Sequence, residues 1–292
     1  MSIKKIVLAV LVFCPLTAFA QGGSEALPFI RTDLGTVLTG TAGAAVASSE
    51  IGAWTAFRSA AAAPFAQQHF ELATDLRSIG GHSALSAAAL FNFKKAALSV
   101  GASFRNGERI ADYMTREMVL SAGYGQRVTE NLSLGFNGRF AKQILTKSIS
   151  YAGYSADFSA LYRFSEYISA TAGVAAIGSK VKSASGSVYS QPSHAYGGAE
   201  FSTIIGNAVV SADVMAEYYY LSGSYAMALS AKYFYDDRFF FSGGYRYADQ
   251  LCVYPSQISF GVGFVTSYFT LDASYVRMMK QNILSLGAGI RF

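Results

Sequence analysis

Few side chains in this sequence are suited to catalysis. The three histidines, His69, His82 and His194, lie too far apart to form a His-x-x-x-His ligand pair. A Ser-His-acid site is set by geometry rather than spacing, so a rim-site enzyme stays open as an alternative. The opposing reading leaves all three in water at the ends of the elements that carry them, His69 at one end and His82 and His194 at the other. Gly261-Val262-Gly263 and Gly287-Ala288-Gly289 imitate phosphate loops, but neither precedes a helix. Asp236-Asp237 suits a tight turn. Cys252 is read either as an intermolecular thiol or as a tolerated loop residue. The expectation is a chain that is not an enzyme, with no catalytic residue, cofactor or metal.

Charge is scarce and unevenly placed. Charged residues make up 14% of the chain, against about 25% in an ordinary soluble domain. Arg105, Arg139 and Arg163 fall on one group of segments with a single acid, Asp157, and Glu200, Asp213 and Glu217 fall on another. Asp272 stands apart, as do Glu71, Asp75, Arg77, Lys232, Arg246 and Arg291. Two readings follow: a transverse field that orients a permeant molecule, or ion pairs with whatever fills the space between the walls. Lys and Arg occur singly, so the basic footprint of a nucleic-acid binder is missing and no nucleic acid is expected.

The elements that would position these charges are strands. From His69 onward apolar and small or polar residues alternate, as in Leu132, Leu134 and Phe136 against Ser133, Gly135 and Asn137. Fourteen such segments span 69–78, 83–93, 95–105, 116–127, 131–143, 149–163, 167–177, 193–204, 207–219, 224–235, 238–248, 256–265, 267–277 and 282–292. Most are long enough for a tilted membrane strand of about 9–11 residues. The apolar set is bulky Phe, Tyr and Leu, and the opposite set is Gly, Ser, Asn and charge. That combination fits a lipid-facing exterior and a polar lumen; a soluble sandwich would rarely keep an apolar outer face on every strand. Connections alternate between short periplasmic turns and longer external loops, the longest at 106–115, 178–192 and 249–255. The expected fold is all-β: a transmembrane antiparallel up-and-down β-barrel of about 14 strands, with both termini periplasmic.

Residues 1–20 read as a signal peptide. Lys4 and Lys5 form its basic end, an apolar run follows, and Ala18-Phe19-Ala20 is the cleavage site, leaving Gln21 first. The alternative is a lipoprotein signal ending at Cys14, where Phe13 occupies a place that wants a small residue. Residues 21–68 do not alternate, and 21 of the thirty residues 34–63 are Ala, Gly, Ser or Thr. Such a segment cannot build its own core, whereas fourteen strands enclose a lumen too wide for wall side chains to fill. The segment is therefore read as an N-terminal hatch inside the barrel, 69–292, rather than as a flexible tail. Arg31, Asp33, Glu50, Trp54, Arg58, Ser59 and Phe65 are its marker residues, and its charges are expected to pair with the wall. The terminal Phe292 ends an alternating strand in the manner of an assembly signal read by the barrel assembly machinery.

The stretches Ala26-Leu27-Pro28-Phe29-Ile30-Arg31-Thr32-Asp33, Gly40-Thr41-Ala42-Gly43-Ala44-Ala45-Val46-Ala47 and Ala53-Trp54-Thr55-Ala56-Phe57-Arg58-Ser59-Ala60-Ala61, with Pro64-Phe65, resemble the N-terminus of PorV/PorQ-type outer-membrane proteins. These belong to the wider FadL-like group of fourteen-stranded barrels with an N-terminal hatch. The family's Asn-Pro-Ala or Asn-Ala-Ala signature is replaced here by Arg58-Ser59-Ala60. The resemblance implies an integral protein of a Gram-negative outer membrane, associated with transport or with type IX secretion. Its partners would be outer-membrane lipid, secretion components or exported proteins, or a hydrophobic ligand. The alternatives are a FadL-like passive channel for hydrophobic small molecules and a non-transporting structural barrel.

Overall fold

The computed structural model describes residues 25–110, 113–146, 149–182, 188–252, 255–279 and 281–292. The signal peptide, Cys14 and the start of the mature chain lie outside the described residues.

Fourteen antiparallel strands close into a barrel. They are β1 (Phe70–Ile79), β2 (His82–Asn92), β3 (Ala96–Ile110), β4 (Tyr113–Arg127), β5 (Leu132–Ile144), β6 (Ser150–Arg163), β7 (Ile168–Gly178), β8 (His194–Ile205), β9 (Ala208–Tyr219), β10 (Ser224–Tyr235), β11 (Phe239–Ala248), β12 (Gln257–Val265), β13 (Phe269–Met278) and β14 (Asn282–Arg291). Each pairs with its neighbour in the chain. The seam is β14 on β1, in register from Glu71 opposite Arg291 to Ile79 opposite Ile283. Closure leaves no open sheet edge among the described strands, so the wall's backbone groups can pair strand to strand without water.

The alternation read in the sequence sets the two faces. In β1, Leu72, Thr74 and Leu76 point out while Ala73, Asp75 and Arg77 are buried inside. The same pattern exposes Leu85, Phe104, Leu134, Phe158, Leu229, Phe241, Phe260 and Leu286 around the whole circumference. Aromatic pairs mark the strand ends, with Tyr218 beside Tyr220 at one end and Tyr233 beside Tyr235 at the other.

One end of the barrel carries tight turns. Lys94, Gly206, Asp236 and Asp237 all adopt positive φ there, the last two at 50° and 52°. The other end carries the longer connections. Connection 106–115 is not a loop, however. The β3–β4 ladder shifts register between Asn106 and Arg109 and then continues to the Ile110–Tyr113 pair. The apolar alternation stops where the strands turn polar, but hydrogen bonding does not stop with it. Connection 178–192 also holds a small hairpin, Val181–Lys182 against Val188–Tyr189.

Residues 25–68 run inside the barrel. Short turns dominate: 3-10 segments at Pro28–Arg31, Ser49–Phe57 and Ala60–Phe65, and one short helix, Thr36–Gly40. Leu38, Ile51, Trp54, Phe57 and Phe65 are buried among them, and each such side chain contributes about 1.5–3 kcal/mol by leaving water. The path explains a departure from expectation. Ala26 N–H donates to Ser190 O beside the small hairpin, so the described chain begins at the loop end. It descends to Glu50, near Lys232, rises to Arg58, and descends again to Phe65 between Arg127 and Arg163. Phe292 lies at the turn end, where its carbonyl accepts from His69 N–H and Phe70 N–H. The two ends of the described chain are at opposite ends of the barrel. The reason is the odd number of passes that the segment makes before β1.

Candidate functional site

A charge cluster at Arg58 joins the lumenal segment to the wall. Arg58 Nη2 lies 2.5 Å from Glu217 Oε1 on β9, and Glu217 Oε2 takes a second 2.5 Å contact from Arg246 Nη2 on β11. Asp33 sits between the two guanidiniums, 3.8 Å from Arg58 and 3.9 Å from Arg246. Two cations and two anions therefore neutralise one another in a largely buried site, as buried charges require.

Other contacts fix the segment along its length. Lys232 on β10 reaches Glu50 at 2.6 Å and Glu200 at 3.2 Å, and Ser48 Oγ donates to Glu200 at 2.9 Å. Arg139 pairs with Asp157 on the wall and donates to the carbonyls of Ile30 and Phe57. Asn137 accepts from Ala60 N–H at 3.1 Å and donates to the carbonyls of Thr55 and Ala56. Thr36 donates to Asp272. Phe65 is sandwiched by Arg127 and Arg163, whose guanidinium carbons lie 4.4 and 4.3 Å from its ring centre. The small residues allow backbone-to-wall packing. A Cβ on Gly135 would overlap Ala61 N, and one on Gly244 would stand 2.5 Å from the Thr41 carbonyl carbon.

Above this layer a cavity of about 460 Å³ opens toward the loop end. Phe29, Ile79, Val276, Met278 and Ile283 give it an apolar wall, and Arg31, Asp33, Arg77 and Arg246 form its polar floor. Arg77 is bound to Asp75 at 2.5 Å and donates to Asp33 O. The cavity ends at the Arg58 layer. The cavity thus joins an apolar wall to a charge-paired floor.

The sequence-derived residues are distributed as follows. Arg31 pairs with Glu25 and stacks over Tyr219. Trp54 packs beside Phe57, and Ser59 is fully buried. Asp213 accepts from Ser230 Oγ at 2.8 Å and, among the described residues, forms no ion pair with the segment. Two expectations need correction. Arg105 is not one of three arginines facing a single acid, because Glu117 on β4 also turns inward and holds it at 2.5 Å. Together with the Arg139–Asp157 and Glu217–Arg246 contacts this neutralises each wall locally, which favours ion pairing over a transverse field. His194 is not in water: it is 3% exposed, its Nδ1 lies 3.1 Å from Pro192 O, and Tyr219 packs against its ring. The strand turns it inward at the level where the segment fills the lumen.

No family model matches the chain, and no curated protein matches it. Solved structures do. The chain is similar to the CymD monoaromatic hydrocarbon channel at 15% identity, with a TM-score of 0.68 over 92% of this chain and 99% of that one. It is similar to the Ralstonia pickettii toluene transporter TbuX at 12% identity, with a TM-score of 0.63 over 88% and 97%. A Pseudomonas aeruginosa FadL homologue gives 11% identity and a TM-score of 0.61 over 94% and 100%. The fold is that of FadL-type barrels.

Within that fold the residues that sequence reading missed are mostly small and neutral. Asn137, Ser121, Ser159 and Ser169 each bond to the lumenal backbone. The alternating pattern turns them inward, and that was the available signal. Nothing in their spacing distinguishes them from other wall serines.

Proposed function

We propose that the protein is an outer-membrane channel that passively admits small hydrophobic molecules. The observation that carries this reading is the cavity at the loop end, half of whose lining residues are apolar, standing over a lumen that residues 25–68 fill. The continuous belt of exposed large apolar side chains supports a lipid surrounding, because a soluble monomer rarely exposes more than a few hundred Å² in one patch. The likeness to barrels described as hydrocarbon channels supports the substrate class. On this reading the turn end faces the periplasm, residues 21–68 act as a hatch on the barrel 69–292, a signal peptide exports the chain, and no catalysis is involved. The test is uptake of radiolabelled toluene by cells with and without the protein, alongside a variant in which Ile79 and Ile283 are both replaced by Asp. Equal uptake in all three would overturn the reading.

The resemblance of residues 26–65 to PorV/PorQ-type proteins supports a second reading, association with type IX secretion. A pull-down from native outer membrane that recovers secretion components would favour it over the channel.

A further inference from the structure

The first described residues do not hang free at the turn end, where β1 begins. Glu25 forms a parallel bridge with Ser190, and Ala26 N–H donates to Ser190 O at 3.0 Å. Leu27 is 1% exposed and lies against Gly153 and Val181 at the loop-end margins of the wall. Arg31 pairs with Glu25 and covers the ring of Tyr219, the last residue of β9 at that end. Gln191 secures the connection from the other side, donating to Tyr154 O at 2.7 Å and Ser179 O at 3.1 Å.

We infer that the Glu25–Leu27 segment is latched at the external mouth and faces the cell exterior, residues 25–68 having threaded the whole barrel. This rests on the outer-membrane orientation proposed above. The segment is then held at both ends: outside by the Glu25–Ser190 bridge, the Ala26–Ser190 hydrogen bond and Arg31 over Tyr219, and at the periplasmic end covalently by β1. The interaction surface is the strand edge around Ser190, and its occupant is the chain's own Glu25–Leu27 segment, which adds to it as an extended strand.

The experiment uses full-length protein in a Cys252→Ser background, because the native thiol lies at the same mouth. Single Glu25→Cys, Tyr189→Cys and Asp237→Cys variants are treated with a membrane-impermeant maleimide on intact cells and after outer-membrane permeabilisation. The expected result is that Glu25→Cys and Tyr189→Cys label equally under both conditions, whereas Asp237→Cys labels only after permeabilisation. An epitope inserted directly before Glu25 checks the result without disturbing its pair with Arg31, and antibody should bind it on intact cells. Labelling of Glu25→Cys and binding of the epitope only after permeabilisation, with the other two variants as expected, would overturn the inference alone. Reversal of Tyr189→Cys and Asp237→Cys would overturn the orientation on which it rests.

Discussion

Arg58 and Glu217 meet at 2.5 Å toward the loop end of the barrel, one from the lumenal segment and one from β9. The contact is not an isolated pair, because Glu217 also holds Arg246 and Asp33 stands between both guanidiniums. Removing different members should therefore have unequal effects.

Arg58→Met leaves Glu217 paired with Arg246, whereas Glu217→Gln leaves two buried guanidiniums facing a single aspartate. Breaking a buried pair by removing one partner costs about 3–5 kcal/mol. Glu217→Gln should therefore loosen the lumenal segment more than Arg58→Met. The measurement is the temperature at which each variant loses its compact gel mobility, with ion current across planar bilayers as a second readout. A larger loss for Arg58→Met would show that the cation, not the shared anion, holds the cluster together.

Gly135 tests close packing in place of charge. A Cβ there would overlap Ala61 N, and the obstruction is backbone rather than a movable side-chain tip. Gly135→Val should leave the barrel inserted, since valine suits a strand, but push the Ala60–Phe65 turn away from β5. The expected outcome is normal yield in the outer membrane with raised ion current. Unchanged current would mean that the turn can shift without opening a path.

The barrel was legible in the sequence because two-residue alternation maps directly onto the two faces of a closed wall. Leu132 to Asn137 alone show both faces. The Glu25 end was not legible. A segment of Ala, Gly, Ser and Thr has no periodicity to reveal the direction in which it crosses a lumen, so the number of passes before β1 could not be counted. Charge partners were partly legible. Glu50 and Arg58 were recognised as needing partners, but that Glu50 meets Lys232 and Arg58 meets Glu217 depends on depth along the barrel axis. Glu117 was missed because it falls next to Arg116 near a strand end, where polar residues occupy both faces.

Phe292 closes the seam through its main chain: its carbonyl accepts from His69 and Phe70, its N–H donates to Phe70 O, and its ring stacks on Phe70 with centroids 6.1 Å apart. Deleting the residue removes both the pairing and the ring, whereas Phe292→Ala keeps the pairing. Deletion should reduce the yield of folded barrel more than the substitution, without changing export across the inner membrane. Equal yields for the two variants would assign the effect to the aromatic ring alone.

The last prediction concerns the whole lumenal segment. Residues 29–65 supply the bulk that fills the barrel below the cavity, and they supply Arg58, Asp33 and Glu50 to the wall charges. Deleting them leaves Glu217 with Arg246, Glu200 with Lys232 and Arg139 with Asp157, so each wall stays locally neutral. The strand ladder does not depend on the segment for its hydrogen bonds, and the apolar exterior is untouched. The shortened protein should therefore insert as a barrel and conduct ions like an open pore, whereas the intact protein carries little current. Fourteen strands leave a lumen that inward side chains cannot close by themselves, and many of the inward residues here are Gly, Ala and Ser. Single-channel recordings in planar bilayers check this directly. If the intact protein already conducts like a wide pore, the segment does not block the lumen in the membrane, and general diffusion replaces selective entry as the better account.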